Sequence, residues 1–237
     1  MGYQKRHKHI RLKKKTVKKI ITGIGALILI AGTVLAGRKN AAVPDLPQYA
    51  GLPCTVIHDN IPYFDPEEIK PESFETYSSL DALGRCGTAF ACVSEDTMPT
   101  GERGKIGMVK PSGWHTVQYP EMIEDRYLYN RCHLIAWCLS GENANERNLI
   151  TGTRYMNVEG MLPFEEKVAR YIDDTGNHVL YRVTPVFEKL NLVADGVLME
   201  AYSVEDEGEG ICFCVYCFNV QPGIEIDYRT GESRSIW

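Results

Sequence analysis

The sequence predicts an α+β domain that follows a short apolar segment near the N-terminus. Short runs of β-branched and aromatic residues, separated by turn formers, occur early and late in the chain, and a helical pattern lies between them. Strands before and after a central helical section are typical of α+β domains. The 237 residues suffice for one or two domains, and no internal repeat divides them.

The N-terminal region is basic, whereas the remainder is acidic. Residues 1–39 carry eleven Lys and Arg and no acidic residue, and the rest of the chain has a net charge of −16. Residues 20–36 contain no charge, and a membrane-spanning helix needs roughly 17–25 apolar residues. Basic residues before such a segment predict that the N-terminus stays in the cytoplasm and that the rest is exported.

The apolar segment has two open interpretations, a transmembrane signal anchor or a cleaved signal peptide. Small residues at Val34-Leu35-Ala36 would suit a signal peptidase. A buried core helix fits the flanking charges less well. The predicted organisation is a basic cytoplasmic tail at 1–19, the anchor or signal peptide at 20–36, a Pro-containing linker at 37–50 and one folded domain at 51–237. We therefore expect a protein on the outer face of the cell membrane or a secreted one.

Within the folded domain the hydrophobic pattern predicts the elements in order. Strand-like runs precede a helical section, further strand-like runs follow it, and a turn closes the chain. The second helix has Pro163 in its first turn, and Phe164, Val168 and Ile172 recur every four residues on one face. The expected strands are 55–58, 88–93, 105–109, 178–185 and 210–220; the helical segments are 134–139 and 163–172; the turn is 228–231.

All eight cysteines lie after the apolar segment. An even number of cysteines in an exported domain makes disulfides plausible, yet cysteine is also a small core residue. Cys212 and Cys214 would point to the same face of a strand, which favours core packing or a disulfide. A structural zinc site is less favoured, because the second closely spaced Cys pair that such sites usually contain is missing.

Residues 130–165 contain side chains suited to cleaving a phosphodiester. His133 can accept a proton near neutral pH, and Arg131 can grip a phosphate oxygen with its fixed fork of donors. Asn148 offers an amide oxygen, which is an acceptable ligand for Mg²⁺, and Glu165 could hold a metal-bound water. Such an ion would act as a Lewis acid on the phosphoryl and leaving oxygens.

The same stretch resembles the DNA/RNA non-specific endonucleases, the His-containing ββα-metal nucleases, and in particular their DNA-entry branch. The family signature Asp-Arg-Gly-His has its counterpart in Asn130-Arg131-Cys132-His133. The first position loses a negative charge. At the third, Cys132 replaces a glycine that can be needed for an unusual backbone conformation. Further matches at residues 105–114 and 219–231 extend the resemblance over roughly residues 80–237.

The resemblance implies a ββα-metal nuclease core with a central antiparallel sheet and flanking helices, in which a strand carries Arg131 and His133. It implies His133 as general base, Asn148 as metal-binding Asn and Asn157 as a second active-site Asn. It implies Glu165 as active-site Glu, with Glu166 as the one-residue alternative. The implied cofactor is Mg²⁺ or another divalent cation such as Mn²⁺. The implied substrates are DNA and RNA, cleaved with little sequence preference. No obligate protein partner is evident.

An acidic domain binds polyanions poorly unless basic residues cluster locally, because phosphate neutralisation supplies most nucleic-acid affinity. We expect a basic groove around the motif, with two or three of its members touching phosphate. An alternative is a catalytically disabled nucleic-acid-binding surface module on the same fold, which the departures at Asn130 and Cys132 make credible. The candidate groove residues are Arg126, Arg131, Arg147, Arg154, Lys167 and Arg170.

Overall fold

A computed structural model describes residues 47–236. The basic tail predicted at 1–19, the anchor or signal peptide at 20–36 and the linker up to residue 46 lie outside the described residues. Between residues 47 and 236, no helix combines the length and the apolar character needed to cross a membrane.

Ten strands run through the described region. Six of them form an antiparallel sheet in the order β1-β8-β7-β6-β3-β2, and β4–β5 and β9–β10 are separate antiparallel hairpins. The strands are β1 (Cys54–Val56), β2 (Phe74–Tyr77), β3 (Ala89–Val93), β4 (Tyr129–His133), β5 (Leu149–Thr153), β6 (Val179–Val186), β7 (Gly196–Ser203), β8 (Cys212–Phe218), β9 (Ile224–Ile226) and β10 (Ser233–Ser235).

The helical elements are few. A 3₁₀ turn spans His58–Asn60, and a short helix α1 spans Trp137–Ser140. A π-helix at Met156–Met161 leads directly into α2 (Leu162–Thr175). The sheet with its flanking helices confirms the predicted α+β class.

The main core lies between one face of the sheet and the layer formed by the β4–β5 hairpin, the π-helix and α2. Alternate residues of the central strands, such as Ala91, Tyr181 and Met199, are fully buried in this cluster together with Ile135 and Ile172. The opposite face of the sheet packs against a smaller aromatic cluster that includes Phe64 and Phe90. The hairpin that carries the candidate residues therefore rests on a closely packed support.

Helix α2 follows its predicted pattern. Pro163 is the second residue of α2, which continues the π-helix without a break. Val168 and Ile172 are fully buried, and Phe164 packs against Phe213 with ring centroids 4.9 Å apart. Gly176 ends the helix in the left-handed conformation, with φ of 70°, that a C-terminal cap requires. The apolar stripe at spacings of four is confirmed as the core-facing side.

Two predicted elements differ from the structure. Residues 105–109 form no strand; the side chain of Arg131 instead donates hydrogen bonds to the carbonyls of Gly107 and Val109. The helical segment at 134–139 is reduced to the single turn of α1. The alternation of apolar and polar residues does not predict strands β5 and β7. Strand β5 is buried at every position and β7 at all but one, so neither alternates in polarity.

One cysteine pair forms a disulfide. Cys54 and Cys217 are directly opposite each other on the paired strands β1 and β8 and are bonded. Cys214, also on β8, is buried with a free thiol, in agreement with the core-packing interpretation. The part of the chain that the structure describes holds no group of three or more His, Cys, Asp or Glu placed to bind a metal ion.

Candidate active site

A cleft of about 690 Å³ runs beside strand β4. Three elements supply its central side chains: β4 contributes Arg131 and His133, the π-helix contributes Asn157, and the first turn of α2 contributes Glu165. The structure thus brings together four of the five predicted site residues. Asn148 does not line this cleft.

His133 ends β4 and is 5% exposed. Its Nε2 lies 2.9 Å from the backbone carbonyl of Asn143, and its Nδ1 lies 3.3 Å from Nη2 of Arg103. A carbonyl only accepts and a guanidinium only donates, so Nε2 carries the proton and Nδ1 presents a lone pair. Burial, reinforced by the charge of Arg103, lowers the pKa of His133 below 6.5. The imidazole is therefore neutral at pH 7 in the tautomer that accepts a proton at Nδ1.

Glu165 is a buried carboxyl group on the cleft wall. It is 8% exposed, and no hydrogen bond to its carboxylate occurs among residues 47–236. Burial raises its pKa to about 8, against a smaller lowering by Arg103, while neighbouring Glu166 adds to the rise. A carboxylate in such a place is stable only beside positive charge.

Asn157, the second residue of the π-helix, lines the same cleft as Glu165. The thiol of Cys132 donates to its Oδ1 at 3.0 Å. Because an amide oxygen has two lone pairs, one remains for a second partner. Single π-turns of this kind are frequent at functional sites.

Cys132 occupies the signature position of a glycine without backbone strain. Its φ is not positive, and it pairs with Ile150 as an ordinary strand residue. Space for its side chain comes from Gly152 on β5, where an added Cβ would lie 2.7 Å from the Cβ of Cys132. The substitution therefore leaves the path of β4 intact.

Asn148, the predicted metal ligand, lies in the protein interior. Its side chain is fully buried, its Oδ1 accepts from the N–H of Ile135 and its Nδ2 donates to the carbonyl of the same residue, both at 2.9 Å. Its backbone carbonyl accepts from Leu134. Asn148 thus extends the β4–β5 pairing beyond His133 and fixes the backbone there, and its fully buried side chain does not reach the cleft.

Arg131 is engaged with the neighbouring loop. Its Nε and Nη2 donate to Val109 and Gly107 at 2.5 and 2.9 Å, and its guanidinium stacks on Trp114 at 4.0 Å. Two of its five N–H donors are consumed in this way. Arg131 therefore holds the loop in place while the guanidinium still lines the cleft.

Arg103 is the residue that sequence reasoning missed. It lies thirty residues before His133 in an irregular, glycine-containing segment with no periodicity, so no local pattern marks it. Its guanidinium nevertheless contacts His133 and lines the cleft. The half-buried Cys138 lines the same wall, and Trp137 and Trp114 also reach the cleft.

Only some of the six basic residues predicted for the groove line the cleft. Of these, Arg131 and Arg154 line the cleft, and Arg103 joins them. Arg154 sits at the far end from His133 and forms an ion pair with Asp125 at 2.5 Å. Two of the six candidates thus line the cleft, and the number that touches phosphate stays a prediction.

Comparison with a family model identifies a long match. The model of the DNA/RNA non-specific endonuclease family aligns with residues 67–205, more than half of the chain. The matched region includes both strands of the β4–β5 hairpin, the π-helix and α2, and so all the cleft residues described above.

Solved structures share the fold. NucA from Streptococcus agalactiae with no metal bound is 25% identical over 81% of this chain and 92% of its own, with a TM-score of 0.69. The magnesium-bound form of that protein superposes with a TM-score of 0.70 at 24% identity, over 81% and 91% of the two chains. Sda1 nuclease with bound zinc ion is 28% identical over 77% and 96%, with a TM-score of 0.65.

Proposed function

Since the chain belongs to the DNA/RNA non-specific endonuclease family, we propose that it hydrolyses DNA and RNA with a divalent cation and with His133 as the general base. The observation that carries the proposal is the locked tautomer of His133. A neutral imidazole whose Nε2–H is held by a backbone carbonyl keeps Nδ1 as its proton acceptor. In the free protein Nδ1 accepts a hydrogen bond from Arg103, and it becomes available to water when Arg103 turns to a bound phosphate.

The proposed chemistry is a single displacement at phosphorus. Nδ1 of His133 takes a proton from a water molecule as its oxygen bonds to phosphorus, and the P–O bond to the leaving sugar oxygen breaks. Arg103 touches Nδ1, so its guanidinium can donate to a non-bridging oxygen of a phosphate bound next to the base. The leaving sugar oxygen takes a proton from solvent water, and the proton held by His133 is then released to solvent.

The cleft residues fit a hard divalent cation. Oδ1 of Asn157 has a lone pair to spare, and Glu165 is a buried carboxyl group with no hydrogen bond among the described residues. Amide and carboxylate oxygens are the donors that Mg²⁺ prefers. We assign Asn157 as the direct ligand and Glu165 as the holder of a metal-bound water. When bound, the ion supplies Lewis-acid stabilisation of the negative charge developing on the phosphoryl and leaving oxygens.

The first test is cleavage of supercoiled plasmid and of single-stranded RNA by the full chain, with Mg²⁺ and with EDTA. We expect both polymers to be degraded with Mg²⁺ and to stay intact with EDTA. Mn²⁺ should replace Mg²⁺, because both accept oxygen ligands. Cleavage that continues in EDTA would reject the metal part of the proposal, and the absence of cleavage by folded protein would favour the binding-module alternative.

The raised pKa of Glu165 predicts a pH-dependent stability of the metal-free protein. In the unfolded chain the Glu165 carboxyl group loses its proton near pH 4.5, whereas in the folded protein it keeps the proton up to about pH 8. Between these values the folded state binds the extra proton, so its stability falls as the pH rises, by at most about 1.4 kcal/mol per pH unit. Thermal unfolding in EDTA from pH 4 to pH 9 measures this slope.

Glu165→Gln is the matched control for that measurement, since the amide has the same shape and does not ionise. We expect the variant to lack the loss of stability with rising pH that Glu165 causes. Its melting temperature should therefore exceed that of the parent by an increasing margin toward pH 8. Parallel curves for the two proteins would show that Glu165 ionises normally when folded and would remove the reason for placing it beside a cation.

We also propose that the nuclease acts outside the cell. The basic residues and the uncharged segment 20–36 support export, either with a retained membrane anchor or after cleavage. The disulfide between Cys54 and Cys217 suits an oxidising compartment. DNA and RNA are the proposed substrates in either case.

A further inference from the structure

The cleft extends well beyond the catalytic end. Arg154 immediately follows β5, and its N–H bonds to the carbonyl of Leu128 at 2.8 Å. Leu128 precedes His133 by five residues of extended chain, which corresponds to about 17 Å. Successive phosphates on one strand of B-DNA rise by about 3.4 Å, so a polynucleotide that follows the cleft from His133 would reach Arg154 after about five nucleotides.

We propose that Arg154 and Tyr127 form a nucleotide subsite at this far end, where Arg154 binds a phosphate away from the scissile bond and Tyr127 stacks on a base. The proposal rests on the proposed nuclease function and extends it to substrate length. Both residues line the same cleft as His133. The subsite would favour polynucleotides over short diesters without reading their sequence.

Arg154 has guanidinium donors to spare. Its one ion pair joins Nη2 to Asp125, and its side chain is 32% exposed. Within residues 47–236 the guanidinium makes no other hydrogen bond, so most of its five N–H donors remain for a phosphate. Asp125 is more exposed, at 56%, and its negative charge opposes a phosphate at the same place. Asp125 therefore orients Arg154 in the free protein and competes with the substrate for it.

Tyr127 presents an aromatic surface on a fixed backbone. The residue is 45% exposed, and it is bridged to Gln118 in a short antiparallel pairing. Hydrogen bonds from Tyr119 to Arg126 and from Leu128 to Val117 hold both sides of this pairing. Base stacking on an aromatic ring tolerates every base, which agrees with cleavage that ignores sequence.

Binding can be separated from catalysis in a background that carries His133→Ala. The probe is a fluorescein-labelled single-stranded DNA 12-mer, whose Kd is measured with Mg²⁺ over a range of salt concentrations. We expect Arg154→Ala to raise Kd and to reduce the slope of log Kd against log salt concentration by about 0.7. This is the change in slope expected when one phosphate contact on a single strand is lost. Tyr127→Leu should raise Kd about fivefold or more at unchanged slope.

Arg170→Ala is the matched control, because it removes the same charge from an exposed position on α2 outside the cleft. We expect it to leave the salt slope unchanged. Asp125→Asn should lower Kd, and this gain should vanish when Arg154→Ala is present. Equal slopes for the Arg154 and Arg170 variants would overturn the subsite, as would an Asp125 effect that is independent of Arg154.

Substrate length provides the second measurement, with His133 restored. The p-nitrophenyl ester of thymidine 5′-monophosphate contains one diester and cannot reach Arg154. We expect Arg154→Ala to raise KM for the 12-mer and to leave ester hydrolysis unchanged; an equal loss on both substrates would overturn the subsite. If the parent hydrolyses neither substrate, the proposed nuclease function fails, while the Kd comparisons still decide the subsite.

Discussion

We expect His133→Ala to slow cleavage of plasmid and RNA by about 10²–10⁴-fold, the range typical of losing a general base. The parent's rate should decline only below about pH 6.5, because burial and Arg103 keep the pKa of His133 below that value. In the alanine variant this acidic limb should disappear. Initial rates from pH 5 to pH 9 at saturating Mg²⁺ measure both effects.

His115→Ala is the control for that experiment. His115 is a histidine whose Nε2 contacts the carbonyl of Thr230 at 3.0 Å, and it does not line the cleft. Its variant should cleave at the parental rate. Added imidazole should restore part of the activity of His133→Ala alone, since the small base fits the space that the side chain leaves. Near-parental cleavage by folded His133→Ala would reject the proposed base.

The fold class and the apolar face of α2 could be predicted because their signals are local. A spacing of four at Phe164, Val168 and Ile172 is enough to define a buried helix face. Strand β5 carries no such signal, because all of its residues are buried and its partner is specified by contacts distant in sequence. Asn219 is an example. Its side chain forms hydrogen bonds with the backbone of Thr151, Thr153 and Ala194, and no local sequence pattern predicts those partners.

The candidate site was predictable in part for the same reason. Residue chemistry and the family resemblance both indicate His133 and Glu165, the resemblance alone indicates Asn157, and all three line one cleft in the structure. Arg103 could not be found, because it approaches His133 through a loop without regular structure. The burial of Asn148 could not be predicted either, because residue type alone does not distinguish an amide that faces a cleft from one that bonds a buried backbone.

If Asn157 is the metal ligand and Asn148 a structural residue, substitution of Asn157 should lower activity and substitution of Asn148 should lower stability. Asn157→Ala should reduce cleavage by about 100-fold or more, because the metal supplies several kcal/mol of transition-state stabilisation. Its melting temperature should stay near the parental value, since among the described residues the side chain receives a single hydrogen bond, from the thiol of Cys132. Part of the lost rate should return at higher Mg²⁺ concentrations, where a weakened site fills.

Asn148→Ala should show the opposite profile. Removing the amide leaves the N–H and the carbonyl of Ile135 without partners in the core, at about 1–3 kcal/mol for each. For a domain of this size each kcal/mol lowers the melting temperature by about 2–4 °C. Calorimetry and Mg²⁺ titrations of the two variants decide the matter: a stable Asn148→Ala that needs far more Mg²⁺, beside an Asn157→Ala with parental activity, would restore Asn148 as the ligand.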